Sequence, residues 1–419
     1  MAIPESKALA RKIASHYTPE NQPLAFWIFD VEGLMKAAAR WEKNMPHVWP
    51  QYAIKANPLP QVVKAYGQMG YGYDCASLVE IQEVVDLGFP VERCIFAQPF
   101  KTYSQLIEAA KLGVTQATVD SLYEVEKMAK YAPDMGVVVR FKSDDPTATF
   151  SLGEKFGLHP EEIEPVIASV KKHGLKMTGI AFHVGCDSHS SAAFREALIQ
   201  AREVYTLAEK YGFHPTFIDI GGGFSQYQPF EEFASVIEAT IAELKFPEDV
   251  HFGAEPGRFF ASDAFHLVAS IHGKRDRMIN GVLTHEYVLG DGIHGALAYC
   301  MMFKHQVHIE PLFEKGTEKL PSIFYGPSCN GSDKTSNNDC ELMEPGKDWA
   351  FIPNVGMYSM AIATNFNGYC CRDHKIYLLK PEDCKLDLSI PEKMEDRNVP
   401  ILLGRGVPGT GKTFSEVPN

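Results

Sequence analysis

The sequence predicts a (β/α)8 barrel followed by a β-rich domain, an α/β fold overall. Three observations predict it. Apolar, strand-like runs fall near residues 51–55, 71–74, 93–96, 116–119, 136–140, 176–183, 216–220 and 250–255, with helix-like stretches such as 78–87 and 192–211 between them. Eight strands in about 205 residues match the period and size of such a barrel, with an open doubly wound sheet as the alternative. After about residue 264 the alternation stops, and short strand-like runs are joined by Gly, Pro, Asn and Asp.

Taken in order, residues 1–30 hold an amphipathic opening and then Leu24-Ala25-Phe26-Trp27-Ile28-Phe29, a strand expected to join the second domain. Residues 33–43 have a helical pattern. The barrel is expected over 31–264, and the β-rich domain over 1–30 and 265–419. Strands in the latter are expected near 264–271, 284–289, 305–309, 322–326, 349–352 and 376–379. The tail after Pro391 is polar and rich in Pro and Gly, which predicts poor order. Gly406-Val407-Pro408-Gly409-Thr410-Gly411-Lys412-Thr413 fits the P-loop pattern. A working P-loop opens a helix, and too little chain follows Thr413 to form one, so no nucleotide site is expected.

Composition narrows the function. Hydrophobic residues are 45% and charged residues 22%, and the net charge of -13 is spread without acidic blocks. That argues against nucleic acid or an anionic membrane as partner. Glu5, Lys7, Arg11 and Lys12 interrupt the opening, so no signal peptide is read there. No run approaches the roughly 18 apolar residues of a membrane span. Nine scattered cysteines, an odd count without a CxxC pair, predict a reduced, cytoplasmic protein. No metal site is expected.

The active site of such a barrel is built from the carboxyl ends of its strands. The first ends at Lys55 in Gln51-Tyr52-Ala53-Ile54-Lys55-Ala56-Asn57-Pro58. Taken alone, Lys55 reads as a surface lysine at a strand end; the other strand ends reverse that reading. Partial desolvation would favour its neutral amine, the form that condenses with an aldehyde. Other ends carry Tyr73-Asp74, Arg140, Phe182-His183-Val184-Gly185, Asp219-Ile220-Gly221-Gly222-Gly223 and Glu255-Pro256-Gly257-Arg258. Successive glycines let backbone N–H groups approach a phosphate, and Arg258 offers it a permanent cation. A lysine, an anion cradle and a carboxylate for a ring nitrogen are what pyridoxal 5'-phosphate requires. Glu255 suits the last role, and His183 is placed to stack on the ring.

These motifs resemble the ornithine/lysine/arginine decarboxylases, pyridoxal-phosphate enzymes with an alanine-racemase-like barrel (fold type III), and within them the eukaryotic ornithine decarboxylases. Further pieces are Cys75-Ala76-Ser77 with Glu80, Gly326-Pro327-Ser328-Cys329-Asn330-Gly331, Gly356-Met357-Tyr358-Ser359 and Phe366-Asn367-Gly368. The resemblance implies that Lys55 carries the imine, that Asp74, Glu80 and Arg140 surround the cofactor, and that His183 stacks on it. It implies that Glu255 meets the ring nitrogen and that Gly221, Gly222, Gly223, Gly257, Arg258 and Tyr358 serve the phosphate. Cys329 would protonate the decarboxylated carbon, with His183 and Lys55 as the other catalytic residues. Since the family supplies this cysteine from the neighbouring subunit, a head-to-tail homodimer with shared sites is implied.

The departures concern the substrate end. Asn330 stands where the family has an acid and His294 where it has tyrosine; Cys186, expected among the cofactor-binding residues, stands where the family commonly has serine. No position from 296 to 309 is acidic; the segment instead offers Lys304 and His305. His294, Lys304, His305, Asn330 and Phe366 are therefore the expected substrate residues. They suggest an L-amino acid with a modified or carboxylate-bearing distal end, as in specialised-metabolism paralogues such as the loline-alkaloid decarboxylase. An ordinary ornithine or lysine decarboxylase of polyamine biosynthesis is the alternative. A non-catalytic regulatory homologue and a racemase are others; Lys55, Glu255, Arg258 and Cys329 argue against the first, and Cys329 against the second.

Overall fold

The computed structural model describes residues 3–303, 305–391, 394 and 412–415. The chain forms two compact units. One comprises Ala39–Phe259 with Leu386–Pro391. The other comprises, among the described residues, the stretch up to Ala38, Phe260–Lys385 and a strand at Lys412–Ser415. The first division falls inside the helix Val31–Asn44, because Trp41 is fully buried in the barrel unit. Its indole packs against Phe224, Phe230 and Phe259, and Nε1 donates to the Val48 carbonyl at 2.9 Å. Leu386–Pro391 joins the barrel unit through Lys64, whose Nζ donates to Asp387 Oδ2 and the Ser389 carbonyl, both at 2.6 Å.

After β1 (Ala25–Asp30) come eight strands: β2 (Val48–Ala53), β3 (Gly72–Cys75), β4 (Cys94–Phe96), β5 (Gln116–Val119), β6 (Gly136–Arg140), β7 (Met177–Ala181), β8 (Phe217–Asp219) and β9 (His251–Ala254). Each pairs in parallel with the next, and β9 pairs with β2, so the sheet closes and the open-sheet alternative falls. Both faces of these strands are covered, which explains their nearly unbroken apolar runs; Val137, Val138 and Val139 are all fully buried. The hydroxyls of Ser77, Thr102 and Ser121 accept the N–H three residues on and so start three of the intervening helices. The first strand ends earlier than expected. Ile54, Lys55 and Ala56 form a 3-10 turn, so Lys55 stands just beyond β2. Asn57 precedes a proline and is extended at φ -155°, which ends the turn.

The second unit is a mixed sheet built on the long strand β10 (Phe265–Ile279), with β11 (Val282–Leu289), β12 (Glu310–Pro311), β13 (Lys319–Tyr325), β14 (Lys334–Glu341), β15 (Trp349–Ile352), β16 (Lys375–Pro381) and β17 (Lys412–Ser415). Its order is β14-β13-β11-β10-β1-β16-β17, and β15 pairs with β10 and β12. Thus β1 lies between β10 and β16, and Phe26 and Ile28 share its core with Leu9, Val268, Trp349 and Tyr377. Two expectations need correction. Residues 305–309 form no strand. β14 was invisible in the sequence because Lys-Thr-Ser-Asn-Asn-Asp has no apolar run; its Asn338 amide instead bonds the backbone of Ile309. The predicted tail lies outside the described residues except for Met394 and β17. Lys412 and Thr413 of the P-loop-like segment belong to that strand, not to a helix start.

A buried ionic cluster joins two βα segments of the barrel. Glu124 and the Lys101 side chain have no exposed surface, and Lys127 has almost none. Lys101 Nζ lies 2.9 Å from Glu124 Oε1, and Lys127 Nζ 2.6 Å from Oε2. Lys101 Nζ also donates to the Thr118 carbonyl at 2.8 Å. Glu124→Gln would remove the carboxylate that pairs directly with both buried ammonium groups. A loss of about 3–5 kcal/mol is expected in urea unfolding, and a loss below about 1 kcal/mol would show that the cluster does not hold these segments.

Candidate active site

The barrel's carboxyl end gathers the predicted cofactor residues from several strands. The Lys55 side chain is 44% exposed, and its Nζ is hydrogen-bonded to Asp74 Oδ2. Asp74, in β3, is fully buried, and among the described residues nothing donates to its Oδ1. Glu80 lies in the first turn of the helix Leu78–Asp86, where its Oε2 accepts the Ala76 N–H at 2.5 Å. Burial, and then the Asp74 charge, push its carboxyl up. Arg140 closes β6, its guanidinium 5.1 Å from the centre of the Phe156 ring.

His183 follows β7. Its Nδ1 accepts the Gly185 N–H at 3.0 Å, which leaves the proton of a neutral ring on Nε2. Burial, then the Arg140 and Lys55 charges, hold this imidazole well below the usual range, so it is neutral. A flat, uncharged ring suits stacking.

The glycine run after β8 is required by crowding. Gly221 has φ +68°, and a Cβ there would lie 2.3 Å from the Phe182 carbonyl. One on Gly222 would lie 2.9 Å from His183 Nε2 and from the Glu255 carbonyl. Gly257 gives way in the same manner to the Cβ atoms of Ala56 and Ala53. Arg258, nearly buried, opens the helical turn Arg258–Ala261. Cys186 forms a two-way backbone bridge with Phe150 that ties the loop after β6 to the loop after β7. Asp145 reinforces this junction by accepting from Ser188, His189 and Ser190. Burial raises the Cys186 thiol.

Glu255 and Asp219 stand side by side at the ends of β9 and β8. The Glu255 N–H donates to the Gly221 carbonyl at 2.7 Å, and Asp219 Oδ1 accepts the Gly221 N–H at 2.8 Å. Burial, then Asp219 and Asp74, push Glu255 well up. Burial, then Asp74, raise Asp219 to about 7 against the hydrogen bond from Gly221. A cation at Glu255 would relieve this crowding. Sequence reasoning saw Asp219 only as part of a motif and missed Asp145; neither has a local signal beyond its residue type.

The barrel residues therefore fit pyridoxal phosphate. They present an amine at the rim, buried carboxyls able to face a ring nitrogen, a neutral imidazole, and a glycine cradle that any Cβ would fill.

The β-rich unit holds the remaining predicted residues. Asn330 Oδ1 accepts the Ser332 N–H at 2.9 Å, which turns its Nδ2 toward His294 Nε2, 2.8 Å away. The His294 and Phe366 rings lie 4.6 Å apart. Cys329 is exposed, and its N–H donates to Asn367 Oδ1 at 2.9 Å. Tyr358 has φ +48° and packs against Phe303 at 5.5 Å. His305 lies 5.8 Å from Tyr299 and lines a cavity of about 340 Å³ with Ile293 and Ser332. Lys304 lies outside the described residues. Asp333, which the sequence reading passed over, accepts the N–H groups of Ile293 and Ser328 and the Ser328 hydroxyl. It joins the loop of Cys329 to that of His294. Gly292 and Gly326 make room for it, since a Cβ on either would lie 2.4 Å from its Oδ1.

Comparison with known proteins agrees with this arrangement. The family model described as the pyridoxal binding domain of pyridoxal-dependent decarboxylases matches residues 31–262. Ornithine decarboxylase 2 of Drosophila melanogaster is 36% identical over 378 residues, covering 88% of this chain and 96% of its own. The crystal structure of ornithine decarboxylase from Entamoeba histolytica is 47% identical, with a TM-score of 0.76 over 89% of this chain and 98% of that one. An arginine decarboxylase from Paramecium bursaria Chlorella virus, bound to agmatine, is 30% identical, with a TM-score of 0.83 over 89% and 100%. The chain belongs to the ornithine/lysine/arginine decarboxylase family and is a pyridoxal-phosphate-dependent amino-acid decarboxylase.

Proposed function

We propose that the substrate is a basic L-amino acid, with L-ornithine first. The observation that carries the chemistry is the set of groups on one barrel rim: Lys55 on Asp74, a neutral His183, and Glu255 crowded by carboxyls. The choice of ornithine is supported by the similar proteins named above as ornithine decarboxylases.

In this reading Lys55 is the amine that would hold the cofactor through its aldehyde, and Asp74 positions that amine. Glu255 would face the ring nitrogen, and His183 would lie against the ring. Gly221 to Gly223, Gly257, Arg258 and Tyr358 hold the phosphate, while Glu80, Arg140 and Cys186 complete the surroundings. When bound, pyridoxal phosphate accepts the electron pair released as carbon dioxide leaves. Cys329 keeps a proton on Sγ for the carbon that lost the carboxyl group, becoming a thiolate as it gives it up. The protein acts as a head-to-tail homodimer, with Cys329 serving the partner's lysine. Its nine cysteines are all free thiols, and among the described residues no helix is long and apolar enough to cross a membrane; both support a cytoplasmic setting.

A second reading keeps the chemistry but changes the distal end of the substrate to a neutral or anionic group. Asn330 and His294 favour it, because their mutual hydrogen bond leaves no negative charge for an ammonium. A buried ammonium without a carboxylate loses about 3–5 kcal/mol, or roughly two to three orders of magnitude in kcat/KM. His305, Lys304 and Phe366 would complete that end.

Three outcomes are expected. Ornithine should show the highest kcat/KM in a panel with lysine, arginine and N-substituted or acidic analogues; a deficit of about 100-fold or more would favour the second reading. Lys55→Ala should abolish the borohydride-reducible cofactor adduct, and persistence of an adduct elsewhere in the chain would remove Lys55 from its role. Mixing inactive Lys55→Ala and Cys329→Ala chains should restore activity, through one intact site per mixed dimer. No recovery after verified subunit exchange would place both residues in one chain's site.

A further inference from the structure

We propose that Asp219 is a positioning residue for the ring-nitrogen acid: Asp219 and Glu255 hold one proton between their carboxyls, and Asp219 keeps it when a cation lies against Glu255. The proposal rests on the reading of Glu255 as partner of the ring nitrogen.

The geometry that carries it is local. Asp219 is 1% exposed and ends β8, while Glu255 follows β9, and the two strands pair through Asp219 and Gly253. Asp219 Oδ1 is engaged by the Gly221 N–H. Among the described residues no N–H or hydroxyl donates to its Oδ2, which is fully enclosed. Beside the Gly221 N–H, the Asp219 side chain has the Glu255 carboxyl as a hydrogen-bond partner. Two carboxyls can be hydrogen-bonded only through a proton that one of them carries. Asp74 adds a third negative charge facing both groups, and Arg140 also faces both, while Lys55 faces Glu255. Like charges this close in a buried site cannot all be ionised. When a protonated ring nitrogen meets Glu255, that carboxyl becomes the anion and the proton stays on Asp219, whose O–H then donates to Glu255. No proton enters or leaves the pair in that change. Above the pH at which the free pair loses its shared proton, binding must take one up.

The test uses full-length protein resolved from its cofactor, with the pyridoxal phosphate dissociation constant measured across pH. D219N keeps an acceptor for the Gly221 N–H and gives Glu255 a permanent N–H donor, so it needs no proton. Wild-type affinity should fall about tenfold more per pH unit than that of D219N once the pair titrates. D219L should bind about tenfold or more weaker than D219N at every pH. Asp74, Lys55 and Arg140 are common to all variants and cancel in the comparison. Parallel profiles for wild type and D219N, or equal affinity of D219L and D219N, would overturn the proposal. E255Q separates the two levels. If it binds and titrates as wild type, Glu255 does not meet the ring nitrogen. If it weakens binding while D219N parallels wild type, only the role of Asp219 fails.

Discussion

Burying like charges at one rim is the constraint on which this barrel depends. Asp74 and Asp219 are fully enclosed beside a half-buried Glu255, with Lys55 and Arg140 as the cations near them. Desolvation makes each bare carboxylate costly, and the neighbouring carboxylates raise that cost. A fold selected for stability alone would place apolar side chains here. The site instead stores an unmet demand for positive charge, which a cationic ring nitrogen at Glu255, as proposed, would satisfy. The neutral state of His183 follows from the same setting, since burial and the two cations both oppose its protonation.

The glycines express the constraint in steric form. Gly222 and Gly257 are gaps through which His183, Glu255 and the turn carrying Lys55 approach one another. Their φ values are not the main reason for glycine; the absence of a Cβ is. Similar gaps in the β-rich unit, at Gly292 and Gly326, admit Asp333, so one carboxylate sets the loops of Cys329 and His294.

The barrel was legible because strands buried on both faces read as apolar runs, and their ends fell within a few residues of the expected positions. Lys55 was placed in the right stretch but on the wrong element, since a 3-10 turn has no hydrophobic period. The polar strand β14 and the absence of a strand at 305–309 show where apolar patterning misleads, since tertiary pairing, not local sequence, decides there. Asp219 and Asp333 were hidden for a related reason. Their importance comes from which backbone N–H groups meet them, and these are contributed by loops distant in the chain or by a turn that only glycine can make. The asparagine for acid at position 330 was visible at once, whereas its orientation, set by the Ser332 N–H, was not.

Closure of the barrel has one further consequence. β2 and β9 are the first and last of its strands, and their pairing is the seam that joins ends about 200 residues apart, the costliest of the barrel's own strand pairings in chain entropy. Lys55 stands just beyond β2 and Arg258 just beyond β9, with Gly257 against Ala53 and Ala56 across the join. A ligand gripped at once by the lysine and the arginine is therefore a clasp on that seam. Its binding energy adds to the stability of the closed form in proportion to the logarithm of its concentration. Cofactor supply would then govern how long the barrel stays shut as well as how fast it works.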